Sequence, residues 1–184
     1  MASNLASNMP PYTMRDPTAE TAAVLRERLP PPASLAGKKV ALLSISKERS
    51  DEFMDALEPL IQAAGIETIR FKKPTHTKPA PEAILQDIVE RCDVVIEGLA
   101  DSGSCTSCSL HDIHSLDSRG IPGVATATVE FKQAAAAQAG ALGFNPAIVW
   151  TDHPIQPRTA DELIQVAQAA APLLLAHIQS SGTS

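Results

Sequence analysis

The sequence predicts one α/β domain: an open, mainly parallel, doubly wound (Rossmann-like) sheet of about five strands with helices on both faces. Two observations support this prediction. Short apolar runs of strand length alternate along the chain with amphipathic stretches of helical length. The 184 residues are 44% hydrophobic with only 3% aromatics, which is typical of helices packed on a buried parallel sheet. This length and apolar content suit a single core.

The elements follow one another regularly from Lys39 onward. Strands are predicted over 40–45, 67–71, 93–99, 123–126 and 147–150, and helices over 50–64, 84–91, 111–119, 129–142 and 160–178. Ser50 is the predicted N-cap of the first helix, Gly65 its stop, and Thr159 with Glu162 a capping box before the last helix. Because ligands collect at the carboxyl ends of parallel strands, we expect the site in loops 46–48, 101–108 and 151–154.

The two ends of the chain are predicted to lie outside the domain. Residues 1–37 are rich in Pro, Ser and Ala and form a predicted arm without its own core, with one short helix over 18–29. This arm is interpreted either as a disordered leader or as a segment that wraps a partner subunit. Residues 38–179 form the α/β domain, and 180–184 a disordered tail.

Charge and hydropathy argue against two classes of partner. The formal net charge is -6 and no cluster of Lys or Arg is longer than a pair, so no basic surface for nucleic acid is expected. No apolar run approaches the roughly 20 residues that span a bilayer, and residues 1–11 lack the apolar core of a secretory signal. We therefore expect a cytoplasmic protein that binds neither nucleic acid nor membrane.

The chemistry is predicted to reside in the Ser/Cys segment, residues 101–108, which reads Asp-Ser-Gly-Ser-Cys-Thr-Ser-Cys. A helix expected to begin near Ser109 follows it, and the free N–H groups and positive dipole end of that helix favour negative charge. A thiol in this segment is therefore expected to ionise more readily than free cysteine, whose pKa is about 8.5. The same N–H groups suit a carboxylate, a phosphate or a developing oxyanion.

Cys105 and Cys108 form a C-x-x-C pair within this segment. An odd number of cysteines, three in all, without an export signal argues against a disulfide framework. The pair is compatible with thiol exchange, with two metal ligands, with a nucleophile and a resolving thiol, or with small residues packed in a turn. Cys92 is interpreted as a buried structural thiol.

A metal ion is the one cofactor that the segment suggests, but the spacing of its cysteines does not require a metal. Zinc bound by the two thiolates would need His111, His114 or His153 as further ligands. The segment 105–110 also resembles the cysteine cluster of nitrile hydratase, with Leu110 in place of the third cysteine. We therefore predict no cofactor, with Cys105 and Cys108 as the ligands if a metal binds.

Several ordered segments across residues 37–157 are similar to the UGSC-motif family of bacterial proteins, named for a selenocysteine or cysteine followed by Gly-Ser-Cys. They cover 37–43, 46–47, 73–74, 78–81, 92–98, 101–112, 119–122, 130–131, 137–139, 141–143 and 153–155. The motif also resembles the selenocysteine region of the glycine, sarcosine and betaine reductases, in which a selenolate attacks a carbon bearing nitrogen. The resemblance implies that the Ser/Cys segment holds the nucleophile.

Ser102 stands where that family places its selenocysteine or cysteine. A serine hydroxyl is barely ionised at neutral pH and needs a nearby base to attack anything. Three explanations stay open. Cys105 has become the nucleophile, or Ser102 acts with a base such as His153, or the serine is an engineered replacement for cysteine made to trap a bound species.

The other candidate site residues lie mostly just after the ends of predicted strands. The predicted catalytic residues are Ser102, Cys105, Cys108 and His153, with His153 as general acid or base. The predicted substrate contacts are Lys47, Asp101, Gly103, Ser104, Thr106, His111 and Glu130. Lys73 is interpreted as a solvated lysine, and Asp112 as a carboxylate favoured by the helix dipole.

The leading hypothesis is an enzyme in which a loop thiolate, helped by a histidine, attacks an electrophilic carbon of a small polar or anionic substrate at a C–N, C–S or acyl bond. This hypothesis corresponds to a cysteine-dependent hydrolase, lyase or transferase, or to a component of a reductase. The alternatives are a thiol/disulfide redox or carrier subunit, a metal-dependent site, and an inactive partner of an active paralogue. The Ala-rich helix and the arm suggest a homodimer or a hetero-oligomer with a paralogue.

Overall fold

Five parallel strands form one sheet in the order β2-β1-β3-β4-β5 in this computed structural model, which describes residues 25–180. The strands are β1 (Lys39–Ser44), β2 (Glu67–Lys72), β3 (Val94–Ala100), β4 (Gly123–Thr128) and β5 (Ala147–Thr151). The helices are α1 (Ser50–Ala63), α2 (Glu82–Arg91), α3 (Gly103–Asp117), α4 (Lys132–Leu142) and α5 (Ala160–Ile178). The predicted fold class is confirmed.

Both faces of the sheet are covered by helices. Leu42, Ile96 and Val124 face α1 and α5, while Leu43 and Val95 belong to the core on the other face, beneath α2 and α3. Successive strand residues point to opposite faces, so burial on both sides explains why the strands are apolar throughout. No helix within residues 25–180 has the length and apolar character needed to cross a membrane.

Most predicted boundaries agree with the structure within a few residues, and the helix after β3 is the exception. α3 begins at Gly103, well before the start predicted at residues 109–111, so most of the Ser/Cys segment is helical. A 3₁₀ turn over Val129–Phe131 precedes α4. The capping box of α5 is confirmed: Thr159 N–H donates to Glu162 Oε2 at 2.7 Å, and Glu162 N–H donates to Thr159 Oγ1 at 3.3 Å.

The described part of the predicted arm, residues 25–37, packs against the domain. Arg26 Nη1 lies 2.5 Å from Asp117 Oδ1, and Leu29 N–H donates to Asp117 Oδ2 at 3.0 Å. Leu35 is buried in the core beneath α1 and α5. Residues 25–29 are not helical, so the helix predicted over 18–29 is wrong for them, whereas 18–24 lie outside the described residues.

Candidate active site at the N-terminus of α3

The loops after β1 and β3 lie side by side, because the strand order reverses direction between these two strands. Such a switch point opens a crevice at the carboxyl ends of the strands. Ser50 holds the two ends together: its hydroxyl donates to Gly98 O at 2.6 Å and accepts from Ile45 N–H at 3.2 Å and Leu99 N–H at 3.1 Å. The prediction of Ser50 as N-cap is wrong, since Arg49 occupies that position and the Ser50 side chain binds the strands.

Ser102 and Cys105 are in direct contact in the first turn of α3. Ser102 is the N-cap residue, and its N–H donates to Cys105 Sγ at 3.2 Å. The Ser102 hydroxyl oxygen lies 2.9 Å from the same sulfur, and the Cys105 thiol is 3.2 Å from Ser102 O. Thr106 Oγ1 also donates to Ser102 O, at 2.8 Å. The two residues that the sequence singled out as rival nucleophiles therefore form one unit.

Cys105 is fully buried and Ser102 is half-buried. The Cys105 side chain packs with Ile45, Ala100 and Ala127, which line the sheet beneath the helix start. Ser104 is exposed, and a Cβ built on Gly103 would have no neighbour within 4 Å. The turn is thus tightly packed on the sheet side and open on its outer side.

Cys108 lies one helical turn further on, and its environment differs from that of Cys105. Burial raises the pKa of the Cys108 thiol, although Lys73 acts in the opposite direction. The expectation of a readily ionised thiol is therefore wrong for Cys108, because α3 starts before it and its thiol no longer faces the free N–H groups. Burial also raises the pKa of Cys92 to about 11, in agreement with a structural role.

The helical spacing of Cys105 and Cys108 is unfavourable for a disulfide. All three cysteines are free. Residues three apart on a helix have Cβ atoms about 5–6 Å apart. A disulfide requires about 3.5–4.5 Å between Cβ atoms. A Cys105–Cys108 bridge would therefore require the two side chains to approach more closely than regular helix spacing places them, and the redox alternative stays a prediction.

Lys47 and Asp101 meet across the crevice between the loops. Lys47 Nζ lies 3.5 Å from Asp101 Oδ1, and their side chains are 14% and 4% exposed. Asp101 Oδ1 has no hydrogen-bond partner among residues 25–180. The structure thus places a cation and a buried carboxylate directly before Ser102, and their contact with a substrate remains a prediction.

His153 lies at the end of β5, two strands away from β3. Its ring is exposed, with Nδ1 at 3.2 Å from Thr128 Oγ1 and Phe131 packed against it edge to face. Thr128 ends β4, which is the neighbour of β3, so the ring of His153 reaches back from β5 to the strand beside the one that precedes the Ser/Cys segment. Within the described chain, no hydrogen bond joins His153 to Ser102 or to a thiol.

Two other predicted substrate contacts lie away from the crevice. The His111 side chain is exposed on α3, with Nε2 at 3.2 Å from the amide nitrogen of Gln138 on α4. Glu130 is exposed in the 3₁₀ turn after β4. The structure therefore brings Lys47, Asp101, Ser102 and Cys105 together and leaves these two apart.

A buried charge cluster beneath α3 was missed by the sequence analysis. Lys73 Nζ lies 2.5 Å from Asp112 Oδ2 and 3.7 Å from Glu97 Oε1, and all three side chains are at most 1% exposed. Asp112 Oδ1 accepts from Ala80 N–H at 2.7 Å. The interpretations of Lys73 as solvated and of Asp112 as a mere dipole partner are therefore wrong. The signal was present in Glu97, because a carboxyl group inside an apolar strand needs a buried partner.

The protonation of this cluster follows from its burial. Neither carboxyl oxygen of Glu97 has a hydrogen-bond partner among residues 25–180. Burial, followed by the nearby Asp112, raises the pKa of Glu97 well above its ordinary value. Burial by itself lowers the pKa of Lys73, but the charges of Glu97 and Asp112 outweigh it and raise that pKa. The cluster is thus a Lys73–Asp112 ion pair with the Glu97 carboxyl group, whose pKa is raised, buried beside it.

The residues considered as metal ligands do not converge. Among residues 25–180, no group of three or more His, Cys, Asp or Glu side chains has an arrangement that suits a metal ion. His111 faces α4, His153 lies beyond β4, and His114 packs edge to face on Phe144. The zinc site that would add these histidines to the two thiolates does not fit this arrangement.

Solved structures of similar fold have low sequence identity to this chain. A diflavin flavoprotein A3 from Nostoc sp. has a TM-score of 0.45 and 12% identity, over 76% of this chain and 95% of that one. Rubredoxin oxygen:oxidoreductase from Desulfovibrio gigas has a TM-score of 0.43 and 16% identity, over 76% of this chain and 37% of that one. The strand order β2-β1-β3-β4-β5 itself defines the flavodoxin-like arrangement.

The family comparison covers far more of the chain than the motif alone. No curated protein matches the chain by sequence. A family model does match, over residues 13–180, which includes the Ser/Cys segment and every strand and helix described above. On this match, together with the segment at the start of α3, the chain belongs to the UGSC family.

Proposed function

We propose that the protein is an enzyme in which the Cys105 sulfur attacks an electrophilic carbon of a small polar or anionic substrate. The observation that carries the proposal is the turn in which Ser102 N–H donates to Cys105 Sγ at 3.2 Å and the Ser102 hydroxyl lies 2.9 Å away. A thiolate at this place would accept hydrogen bonds from both groups at the positive end of α3. Within the described residues, Cys108 makes no hydrogen bond of this kind.

Substrate access requires a local movement, because Cys105 is fully buried. The movement would have to involve the first turn of α3, in which the Ser102 hydroxyl contacts the sulfur at 2.9 Å. The open space beside Gly103 leaves room on the outer side of the turn. Lys47, paired with Asp101 in the crevice, supplies a cation close to the start of α3 for an anionic substrate group.

The proposed reaction breaks a C–N, C–S or acyl bond in two steps. The Cys105 sulfur forms a bond to the substrate carbon, and the leaving group departs with the electron pair and takes up a proton. Water or a second acceptor then displaces the sulfur, which releases the product and restores the thiolate. His153 is the proposed acid or base; no hydrogen bond among the described residues joins it to Ser102 or Cys105, so substrate or water would carry the proton between them.

Thiol labelling tests the proposal directly. Native protein is treated with limiting iodoacetamide, and the labelled fraction at Cys105, Cys108 and Cys92 is followed by mass spectrometry. We expect Cys105 to label in the wild type and Ser102→Gly to lower its labelling rate by about fivefold, because about 1 kcal/mol of hydrogen bonding to the thiolate is removed. Cys108→Ser is the matched control and should leave labelling at Cys105 unchanged.

The outcomes separate the proposal from its rivals. If Cys108 labels while Cys105 stays unlabelled in both the wild type and Ser102→Gly, the proposal fails. Labelling that begins only after reduction would favour the redox or carrier interpretation. A burst with p-nitrophenyl acetate should disappear in Cys105→Ser and persist in Cys108→Ser. A protein that labels at Cys105 yet shows no burst with any acyl or alkyl probe would favour the inactive-partner interpretation.

A further inference from the structure

Lys73 contacts two parts of the candidate site, one through its backbone and one through its side chain. It directly follows β2, and its N–H donates to the carbonyl oxygen of Ser44, the last residue of β1, at 2.9 Å. The carbonyl oxygen of Lys73 accepts from the hydroxyl of Ser46, in the loop after β1. Its ammonium lies beneath α3, 2.5 Å from Asp112 and 3.7 Å from Glu97 on β3. Lys73 therefore connects the loop after β1 to α3 and β3.

The contact with Lys73 falls on a residue with an unusual backbone conformation. Ser46 has a φ of 59°, in the left-handed region that residues with a Cβ rarely adopt. Its N–H donates to Ser44 Oγ at 3.3 Å, and its hydroxyl donates to the Lys73 carbonyl oxygen. Because such a conformation persists only where neighbouring contacts hold it, these two bonds fix the direction of the chain at residue 46.

The direction of the chain at Ser46 decides where the next side chain lies. Lys47 extends into the crevice, where its ammonium is 3.5 Å from Asp101 Oδ1, directly before Ser102. Its side chain is only 14% exposed, so it does not extend freely into solvent. The lysine stem is flexible, and the position of its ammonium therefore depends on the backbone that carries it.

The side chain of Lys73 joins its own segment to the helix that carries the thiol. One carboxylate holds both ends of residues 73–80: Asp112 Oδ2 contacts the Lys73 ammonium, and Asp112 Oδ1 accepts from Ala80 N–H at 2.7 Å. Asp112 lies seven residues after Cys105 on α3, roughly 10 Å along the helix axis. Loss of the ammonium would free the end of the segment that holds Ser46.

We propose that Lys73 is a positioning residue for the candidate site: it fixes the loop that carries Lys47 relative to the turn that carries Cys105. It acts through Ser46 and does not touch the substrate. The inference rests on the proposed function, which assigns Lys47 to an anionic group of the substrate. It also gives the ion pair a role other than stability, because the cost of taking two charges out of water offsets most of their attraction.

Two alkylating probes that differ in charge test the inference in the full chain. Iodoacetate is an anion and iodoacetamide is neutral, and the Cys105 sulfur displaces iodide from either of them. Both probes need the same opening of the turn and the same thiolate, so the ratio of their rates at Cys105 reports the cation beside the turn. Fragment mass spectra locate the label and separate Cys105 from Cys108 and Cys92.

The variants remove either the cation or the contacts that position it. Lys47→Met should lower the iodoacetate-to-iodoacetamide ratio by up to about fivefold, the range of a solvent-accessible ion pair. Ser46→Ala should lower it by a similar factor, while the iodoacetamide rate stays near that of the wild type. The same is expected of a triple variant, Lys73→Met with Glu97→Gln and Asp112→Asn. The three changes are made together because removal of the lysine alone leaves buried carboxyl groups without a cation.

Lys72→Met is the matched control. It removes a neighbouring cation that is exposed and lies 2.5 Å from Asp51, and it should keep the wild-type ratio. Circular dichroism verifies that each variant is folded, and Ser46→Ala decides alone if the triple variant is not. A lowered ratio in Lys47→Met with an unchanged ratio in folded Ser46→Ala and the triple variant would overturn the inference and leave the proposed function intact.

Two other outcomes point to the proposed function. An unchanged ratio in Lys47→Met would remove the assigned role of that lysine, and the inference would fail with it. Absence of label at Cys105 with either probe, in every variant, would contradict the proposed nucleophile itself. A lowered ratio in Lys72→Met would show that the ratio reports the general charge of the protein, and this too would count against the positioning role.

Discussion

At the scale of single residues, the contact between Ser102 and Cys105 defines the site. The family motif places cysteine or selenocysteine at the first of these positions, and the structure puts that position 2.9 Å, oxygen to sulfur, from Cys105. Position 102 is the N-cap and position 105 the third helical residue, so both side chains turn towards the same N–H groups. A thiol at position 102 would therefore be the natural redox partner of Cys105.

We predict that Ser102→Cys creates a readily formed disulfide between position 102 and Cys105. Ser102 Oγ and Cys105 Sγ are only 2.9 Å apart, so a sulfur at position 102 would lie directly beside the Cys105 sulfur. Under mild oxidation the intact mass should fall by two hydrogens, and peptide mapping should locate the link. The wild-type Cys105 and Cys108 pair serves as internal control and should remain reduced under the same conditions. A link to Cys108 instead would contradict the geometry described here.

Glu97 should make stability depend on pH. Its folded pKa is raised above the ordinary 4.5, chiefly by burial, so between these two values the folded state binds more protons than the unfolded state. The free energy of unfolding should therefore fall as pH rises above about 4.5. Glu97→Gln removes the titration and should flatten this slope, as measured by urea unfolding at several pH values. Glu130→Gln, an exposed position, should keep the wild-type slope.

At the scale of elements, the sequence was most informative where periodicity and caps agree. Alternation of apolar runs with amphipathic stretches predicted all five strands, and the Thr159–Glu162 pair predicted the start of α5. α3 was placed too late because Gly, Ser, Cys and Thr have low helix propensity, and its third residue is Cys105 where a capping box usually has Glu or Gln. The helix forms there because its far half packs on the sheet.

The rest of the site depends on contacts between residues that are far apart in the sequence, and local sequence patterns do not predict such contacts. The approach of the loops after β1 and β3 follows from topology, and with it the approach of Lys47 to Asp101. The burial of Lys73 could not be read locally, since its partners are 24 and 39 residues further along the chain. The sequence analysis placed His153 at the carboxyl ends of the strands, where it lies. Only the strand order shows that β4 lies between its strand, β5, and β3.

At the scale of the whole molecule, Asp117 joins the chain preceding the first strand to the end of α3. Its carboxylate accepts from both Arg26 and the Leu29 N–H, and Arg26 also lies over the Phe144 ring. This carboxylate is 2% exposed, so its hydrogen bonds exclude water. Residues 25–29 are thus held by polar contacts to this buried side chain and by the Arg26 N–H, which donates to Gly143 O at 2.7 Å.

Asp117→Ala should release this segment. The substitution leaves Arg26 and the Leu29 N–H without their acceptor, and we expect a loss of about 1–3 kcal/mol in the free energy of unfolding. Trypsin should cleave after Arg26 and Arg28 faster than in the wild type, as followed by mass spectrometry. Ser118→Ala, which removes an exposed contact to Arg26 and a hydrogen bond to His114 O but leaves the Asp117 carboxylate in place, is the control. Unchanged cleavage in Asp117→Ala would show that the segment is held by other contacts.

The position of Ser102 as N-cap has a consequence for the history of such proteins. Serine is among the best residues for starting a helix, so an exchange of sulfur or selenium for oxygen at this point leaves the beginning of α3 well formed. The reactive atom at position 102 can therefore change while the start of α3, which holds it, stays the same. A lineage can lose one kind of reactivity at position 102, keep a folded protein with Cys105 in place, and acquire a different activity from the same turn.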